Sequence, residues 1–212
     1  MARFQEIAAT ADAPEPWERQ VCRALATGAI LAHPTTSVYG IGGATAEAAV
    51  RVSRMKGRGE TTPILILVHD AQRLRELYPE IRWNEAAERL TGELWPGPLT
   101  LVFDDGTERG IAARAEAHPV TRRLLRAFEG GIGSTSLNLS GAFPATTVSR
   151  AREVLEAMDE PDVEVLLLSA GDLPGPPTST LLSLQGARPR LLRTGAVTRS
   201  MIEAAVGRDV DG

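Results

Sequence analysis

Four short segments of this chain gather hydroxyls, amides and cations just beyond or beside apolar runs of strand length, where open α/β sheets bind ligands. The first, His33-Pro34-Thr35-Thr36-Ser37-Val38-Tyr39-Gly40, carries three consecutive hydroxyls after a proline, more than a turn requires. The second, Lys56-Gly57-Arg58, puts two cations at a helix end, a placement the helix dipole favours even without a ligand. The third is Ser134-Thr135-Ser136-Leu137-Asn138-Leu139-Ser140-Gly141, in which Asn138 either joins a polar constellation or makes an Asx turn before Gly141. The fourth is Thr178-Ser179-Thr180, with Arg193-Thr194-Gly195 shortly after. Together they offer the cations and neutral donors that suit a polyphosphate plus a small polar co-substrate.

Other chemistries lack their residues. No G-x-x-x-x-G-K-[ST] loop, G-x-S-x-G elbow or H-E-x-x-H helix is present, and the glycine clusters at 40–43 and 130–133 do not fit G-x-G-x-x-G. The three histidines read as structural: His33 beside Pro34, His69 at a strand end, His118 before a helix-opening proline. Neither they nor the single cysteine, Cys22, build a metal site or an intramolecular disulfide.

The elements that must position these segments alternate along the chain. Trp17, Val21, Ala24 and Leu25 share one helical face after Pro14 and Pro16, in a helix that stops near Gly28. A buried strand follows at 29–32, then a loop over 34–43 and a helix over 46–55. The aliphatic run Pro63 to Val68 predicts a strand covered on both faces. Asn84 caps a helix lined by Ala87, Leu90 and Leu94, and Pro119 opens another. Strands are expected at 99–103, 111–114, 132–135, 163–168, 179–184 and 190–193. Thr146 or Thr147 caps one further helix, and a last one follows Thr198. This alternation predicts a single α/β domain over 14–205, a twisted mixed sheet flanked by helices, with mobile ends at 1–13 and 206–212.

At 212 residues and 43% hydrophobic content the chain can bury a core, and it has neither a membrane-length apolar run nor the apolar stretch of a secretory signal at its start. Of its 23 basic residues only Lys56 is a lysine, and asparagine occurs only at 84 and 138. The bias itself reflects composition, but it draws attention to Lys56 and Asn138, since Asn84 has a capping role. A net charge of −4 speaks against a broad nucleic-acid-coating surface.

Taken in order, these segments resemble the YrdC/TsaC family of threonylcarbamoyl-AMP synthases, in its short single-domain type. The family signature runs Y-P-T-[DE]-T-V-Y-G-L-G, K-x-R-P, W-P-G-P-L-T, V-A-V-R-x-P-x-H-P, S-x-N-x-S-G, S-T and L-R-x-G. Here stand HPTTSVYGIG at 33–42, KGRG at 56–59, WPGPLT at 95–100, IAARAEAHP at 111–119, STSLNLSG at 134–141, STLLSL at 179–184 and LRTG at 192–195. The resemblance implies a YrdC-like fold and a nucleotidyltransferase reaction: ATP, L-threonine and bicarbonate give threonylcarbamoyl-AMP and pyrophosphate, for the threonylcarbamoyladenosine modification of tRNA. It also implies a cytoplasmic setting without membrane attachment, hand-over to a downstream tRNA threonylcarbamoyl-transfer machinery, possible tRNA contact, and Mg²⁺ arriving with ATP rather than in a dedicated protein site. By the same resemblance Lys56, Arg58, Ser136 and Asn138 are the catalytic and nucleotide-binding residues, joined by Arg193 on the nucleotide. Thr35, Arg114 and Ser179 hold threonine, Arg114 through its carboxylate, while Trp95 is a packing residue.

Departures from the signature lie in the same segments. Thr36 and Ser37 replace an acid and a threonine, Gly59 replaces proline, Leu137 replaces alanine, and Leu67 stands where some relatives carry a histidine. Two other readings compete: a YciO-like paralogue of less certain activity, and a double-stranded RNA or tRNA-binding module. Retention of K-x-R and S-x-N disfavours the first. The acidic net charge and the absence of interleaved aromatic and basic residues disfavour the second.

Overall fold

The computed structural model describes residues 3–12, 17–57, 64–158 and 163–212. The chain opens with strand β1 (Arg3–Ala8), helix α1 (Trp17–Ala26) and the antiparallel pair β2 (Ile30–His33) and β3 (Gly40–Gly43). Helix α2 (Ala46–Met55) starts where the Thr45 hydroxyl accepts from the Ala48 amide at 3.1 Å, and the chain turns away at Gly57, whose φ is 62°. Next come β4 (Leu65–Val68), α3 (Ala71–Leu77) and α4 (Glu85–Leu94), the two helices capped by Asp70 and Asn84. Strands β5 (Leu99–Phe103) and β6 (Ile111–Ala115) form an antiparallel pair ahead of α5 (Pro119–Phe128), with proline in its first turn. The remaining elements are β7 (Ile132–Ser136), α6 (Val148–Ala157), β8 (Glu164–Ser169), β9 (Thr180–Ser183), β10 (Arg190–Arg193) and α7 (Arg199–Val206).

Among the described residues ten strands form one mixed sheet, ordered β1-β8-β2-β3-β7-β4-β6-β5-β9-β10. Period-two alternation assigns its faces. On β2 and β8, Leu31, Leu166 and Leu168 pack with α1 and α5, while Ile30, Ala32, Val165 and Leu167 pack with α2 and α6 on the other side. A third cluster joins α3, α4 and α7 to β5, β6 and β9, and Trp95 belongs to it: its indole donates to Leu99 O at 2.7 Å and its ring lies edge-on to Phe103.

Several expectations are corrected. The segment read as a loop over 34–43 ends in a true strand, β3, because its glycines let it lie against β7: a Cβ at Gly42 would sit 1.6 Å from Gly133 O. Strand β1 and helix α3 were absent from the sequence reading. β1 is an edge strand whose inward residues are few, and α3 spans only two turns. The fold also runs past the expected 14–205 span: β1 pairs with β8 over Arg3–Ala8, and at the far end Val210 is buried and Asp211 bridges to Arg190. Pro63, where the aliphatic run was expected to begin, lies outside the described residues, and Leu65 and Ile66 are only half-buried, so this part of β4 is not covered on both faces.

Candidate functional site

The sheet face that carries Leu31, Leu67 and Ile132 beneath α1 and α5 continues, beyond those helices, into a cavity of about 430 Å³. Pairing register brings Ser134, Ser136, Gly40, Leu65 and Arg114 onto that face, since Gly40 opposes Ser136, Leu65 opposes Ser134, and Arg114 opposes Leu67. The cavity is lined by Thr35, Arg114, Ser136, Ser179 and Arg193, five of the residues expected at the site, together with Ser134 and Thr100. Lys56 and Asn138 are not lining residues and stand behind Ser136. Arg58 lies outside the described residues, as does Gly59.

Arg114, 5% exposed, pairs with the fully buried Glu116, while its Nε is buried without a hydrogen-bond partner. A buried cation with a donor left over needs an anion or acceptor to complete it. Glu116 does more than balance the charge. Its Oε1 accepts from the amides of Thr36, Ala117 and His118, each at 3.0 Å, and so fastens the hydroxyl loop to β6 and to the start of α5. Thr121 adds a second fastening by donating to Pro34 O at 2.6 Å. Within the loop the Thr35 hydroxyl donates to Val38 O at 2.6 Å and accepts from the Ser37 and Val38 amides, so this side chain shapes the loop as well as lining the cavity.

On the opposite wall the Ser179 hydroxyl accepts from Thr100 Oγ1 at 3.0 Å and from Arg193, whose guanidinium also donates to Ser179 O at 2.9 Å. Burial, reinforced by the charge of Arg114, pushes the Arg193 pKa below the usual arginine range. Two guanidiniums therefore face one cavity whose lining holds no carboxylate, an arrangement that attracts anions.

Behind the third wall Lys56, 2% exposed, donates to Asn138 Oδ1 at 3.0 Å and to Ser136 O. Asn138 is fixed in orientation because its Nδ2 donates to Leu139 O at 2.8 Å and Ala142 O at 3.1 Å, leaving Oδ1 to accept from Lys56 and from the Ser136 hydroxyl. Lys56, Ser136 and Asn138 are thus brought together, and Arg114, Ser179, Thr35 and Arg193 are gathered in the adjoining cavity.

Sequence reasoning missed Glu116, Thr100 and the pairing of His33 with Ser134, whose ring Nε2 and hydroxyl lie 3.1 Å apart. For Glu116 a signal existed. It stands where the family signature has proline, and Thr36 stands where the signature has an acid, so the carboxylate sits on the other partner of the Thr36–Glu116 contact. Among the described residues no three His, Cys, Asp or Glu side chains cluster as metal ligands, and Glu116 is consumed by Arg114 and three amides. The described residues therefore offer no carboxylate cluster that fits Mg²⁺, and residues 58–63 lie outside them. Among the described residues no helix is long and apolar enough to cross a membrane.

The Sua5/YciO/YrdC family model, described as telomere recombination, matches residues 23–195. A Mycobacterium tuberculosis (strain H37Rv) protein provisionally named threonylcarbamoyl-AMP synthase is 32% identical over 197 residues, covering 88% of this chain and 87% of its own. The threonylcarbamoyl-AMP synthase of Bacillus subtilis (strain 168) is 30% identical over 222 residues, covering 96% of this chain but 60% of its own. The crystal structure of Pyrococcus abyssi Sua5 complexed with L-threonine superposes with a TM-score of 0.81 at 26% identity, over 100% of this chain and 63% of that one. The chain thus spans about three fifths of the length of the Bacillus and Pyrococcus proteins. Escherichia coli YciO shares the fold, with a TM-score of 0.75 at 23% identity over 92% of this chain and 97% of its own.

Proposed function

Because the chain belongs to the Sua5/YciO/YrdC family, we propose that it is a threonylcarbamoyl-AMP synthase, joining L-threonine, bicarbonate and ATP into threonylcarbamoyl-AMP with release of pyrophosphate. The observation that carries this reading is the cavity itself, lined by Arg114 and Arg193 together with neutral hydroxyls. That combination matches an amino-acid carboxylate at one end and a nucleotide phosphate at the other.

The reaction asks for positioning and charge neutralisation more than for a strong protein base. Arg114 would take the threonine carboxylate, held at its post by Glu116, with Thr35 and Ser179 bounding the amino acid. The carbamate formed from threonine and bicarbonate would then attack the α-phosphorus of ATP, and pyrophosphate would leave. Arg193 would meet the nucleotide, and Lys56 would place positive charge behind Ser136 and Asn138, where the phosphates approach; Arg58 would add to it. Mg²⁺, when bound with ATP, would supply charge neutralisation at the phosphates. The product would feed tRNA threonylcarbamoyladenosine formation.

Incubating the purified protein with labelled threonine, bicarbonate and Mg-ATP should yield threonylcarbamoyl-AMP by mass spectrometry, with pyrophosphate release that requires both threonine and bicarbonate. Pyrophosphate release indifferent to threonine, or no adduct at all, would sink the reading.

A further inference from the structure

We propose that Phe143 is the platform on which the base of the nucleotide stacks, a role that rests on the synthase reading above. The described lining of the cavity offers cations and hydroxyls for phosphates and an amino acid, but no open aromatic face for a base. Its one aromatic member, Tyr39, is fully buried, with its hydroxyl committed to Gly171 O at 2.7 Å. Trp17 and Trp95 are buried as well, and Trp83 lies beneath the Arg75 guanidinium. Phe143, 89% exposed, is the one aromatic side chain that stands out in solvent among the described residues.

Its position follows from the loop that leaves β7. The loop departs at Ser136 and returns at Pro144, and both of these line the cavity. The return is pinned, since the Ala145 amide donates to Leu137 O at 2.9 Å and Ala145 O accepts from the Tyr39 amide at 2.8 Å. Ala142 is held twice, its amide donating to Leu139 O at 3.0 Å and its carbonyl accepting from Asn138 Nδ2 at 3.1 Å. Gly141, with φ 77°, supplies the left-handed turn before it. Phe143 therefore sits between a residue fastened by Asn138 and a proline that lines the cavity, and a residue before proline is confined to extended conformations. Consecutive α-carbons are about 3.8 Å apart, so the ring springs from the cavity's rim.

A single exposed apolar side chain is ordinary on a protein surface. This one is set apart by its anchor, because Asn138 holds the loop through Nδ2 and belongs through Oδ1 to the group with Lys56 and Ser136. A nucleotide whose phosphates approach that group has its base as the large apolar part left to place. Base faces and a phenyl ring both leave water when they stack. With the backbone already fixed, only two side-chain torsions remain to be ordered. Stacking reads no hydrogen-bond pattern, so Phe143 would add affinity for a base without selecting adenine over another purine.

The test removes the ring and, separately, the base it serves. Dissociation constants of Mg-ATP and of Mg-ribose 5-triphosphate, which is ATP without its base, are measured by calorimetry on the full chain and its variants. The wild type should prefer ATP. Phe143→Ala should shrink that preference about tenfold while leaving ribose triphosphate binding unchanged, and GTP should lose as much as ATP. Because the side chain is exposed, its removal should leave thermal melting as in the wild type. Phe143→Trp should keep the preference, and ATP, but not ribose triphosphate, should quench the added indole emission. Equal weakening of both ligands in Phe143→Ala, or an unaltered preference, overturns the proposal even where threonylcarbamoyl-AMP still forms. A wild type that binds no ATP overturns it together with the synthase reading.

Discussion

Arg193 on β10 and Arg114 on β6 line one cavity, and the second adds to burial in holding the pKa of the first below its usual range. Glu116 offsets part of the repulsion between these like charges, and an anion between them relieves the rest. Pyrophosphate should therefore raise the melting temperature of the wild type, by an amount corresponding to about 2.7 kcal/mol at a hundredfold excess over its dissociation constant. Arg193→Gln should shrink that shift and raise the KM for ATP. A shift of equal size in wild type and variant would place the anion elsewhere.

Lys56→Arg is expected to impair turnover although it keeps the charge. The ammonium is almost wholly buried and threads between Ser136 O and Asn138 Oδ1. A planar guanidinium is larger and cannot occupy that place as a point charge, so overpacking should cost about 1–3 kcal/mol of stability. Pyrophosphate release, measured with threonine and bicarbonate present, should fall at least tenfold. Normal turnover would mean that the lone lysine is an accident of composition.

Gly42→Ala tests whether the floor of the cavity depends on close strand contact. Its Cβ would collide with Gly133 O across the β3–β7 pairing, backbone against backbone, so one strand has to move. A loss of stability on the order of 3 kcal/mol or more is expected, read by urea unfolding. Gly92→Ala, where nothing lies within 4 Å, serves as a control and should be neutral or mildly stabilising.

Stability should fall on mild acidification because of His33. Burial lowers its pKa from 6.5 to about 4, against a smaller upward pull from the Pro34 hydrogen bond and from Glu116; Arg114 and His118 add to the lowering. Between those two values the unfolded chain holds a proton that the folded chain refuses, so stability rises with pH through this window and is level above it. About 3 kcal/mol is at stake across the window. His118, also lowered by burial, acts in the same direction. Urea unfolding at pH 5 and pH 7 should show a smaller difference in His33→Gln than in wild type, and equal differences would refute the assignment.

Local signals in the sequence were enough to locate every described helix but the two-turn α3. Asn84 caps the helix it was expected to cap, Thr147 is the one of the two candidate threonines that caps α6, and Thr198, after which the last helix was expected, proves to be its cap, since an N-cap depends on residues within one turn. Strand β3 was hidden because Gly-Ile-Gly-Gly carries a loop's composition, and only the closeness of β7 explains it. The segments that line the cavity were legible as clusters of polar residues after apolar runs. What could not be read was which polar group meets which. Glu116 and Thr36 are 80 residues apart, and His33 and Ser134 are 101 apart, so their pairing follows from sheet order, which no local pattern encodes. His33 was read as structural from its place beside Pro34, and that contact is present, but its second nitrogen answers to a partner on another strand.

The single carboxylate oxygen of Glu116 that gathers the amides of Thr36, Ala117 and His118 ties three backbone positions to one opening event. None of these amides can meet solvent deuterium without release of the same oxygen, so their exchange should be slow and correlated before any ligand is added. The amino-acid end of the cavity is then assembled in the act of folding, and the entropy of ordering it is not charged again when substrate arrives.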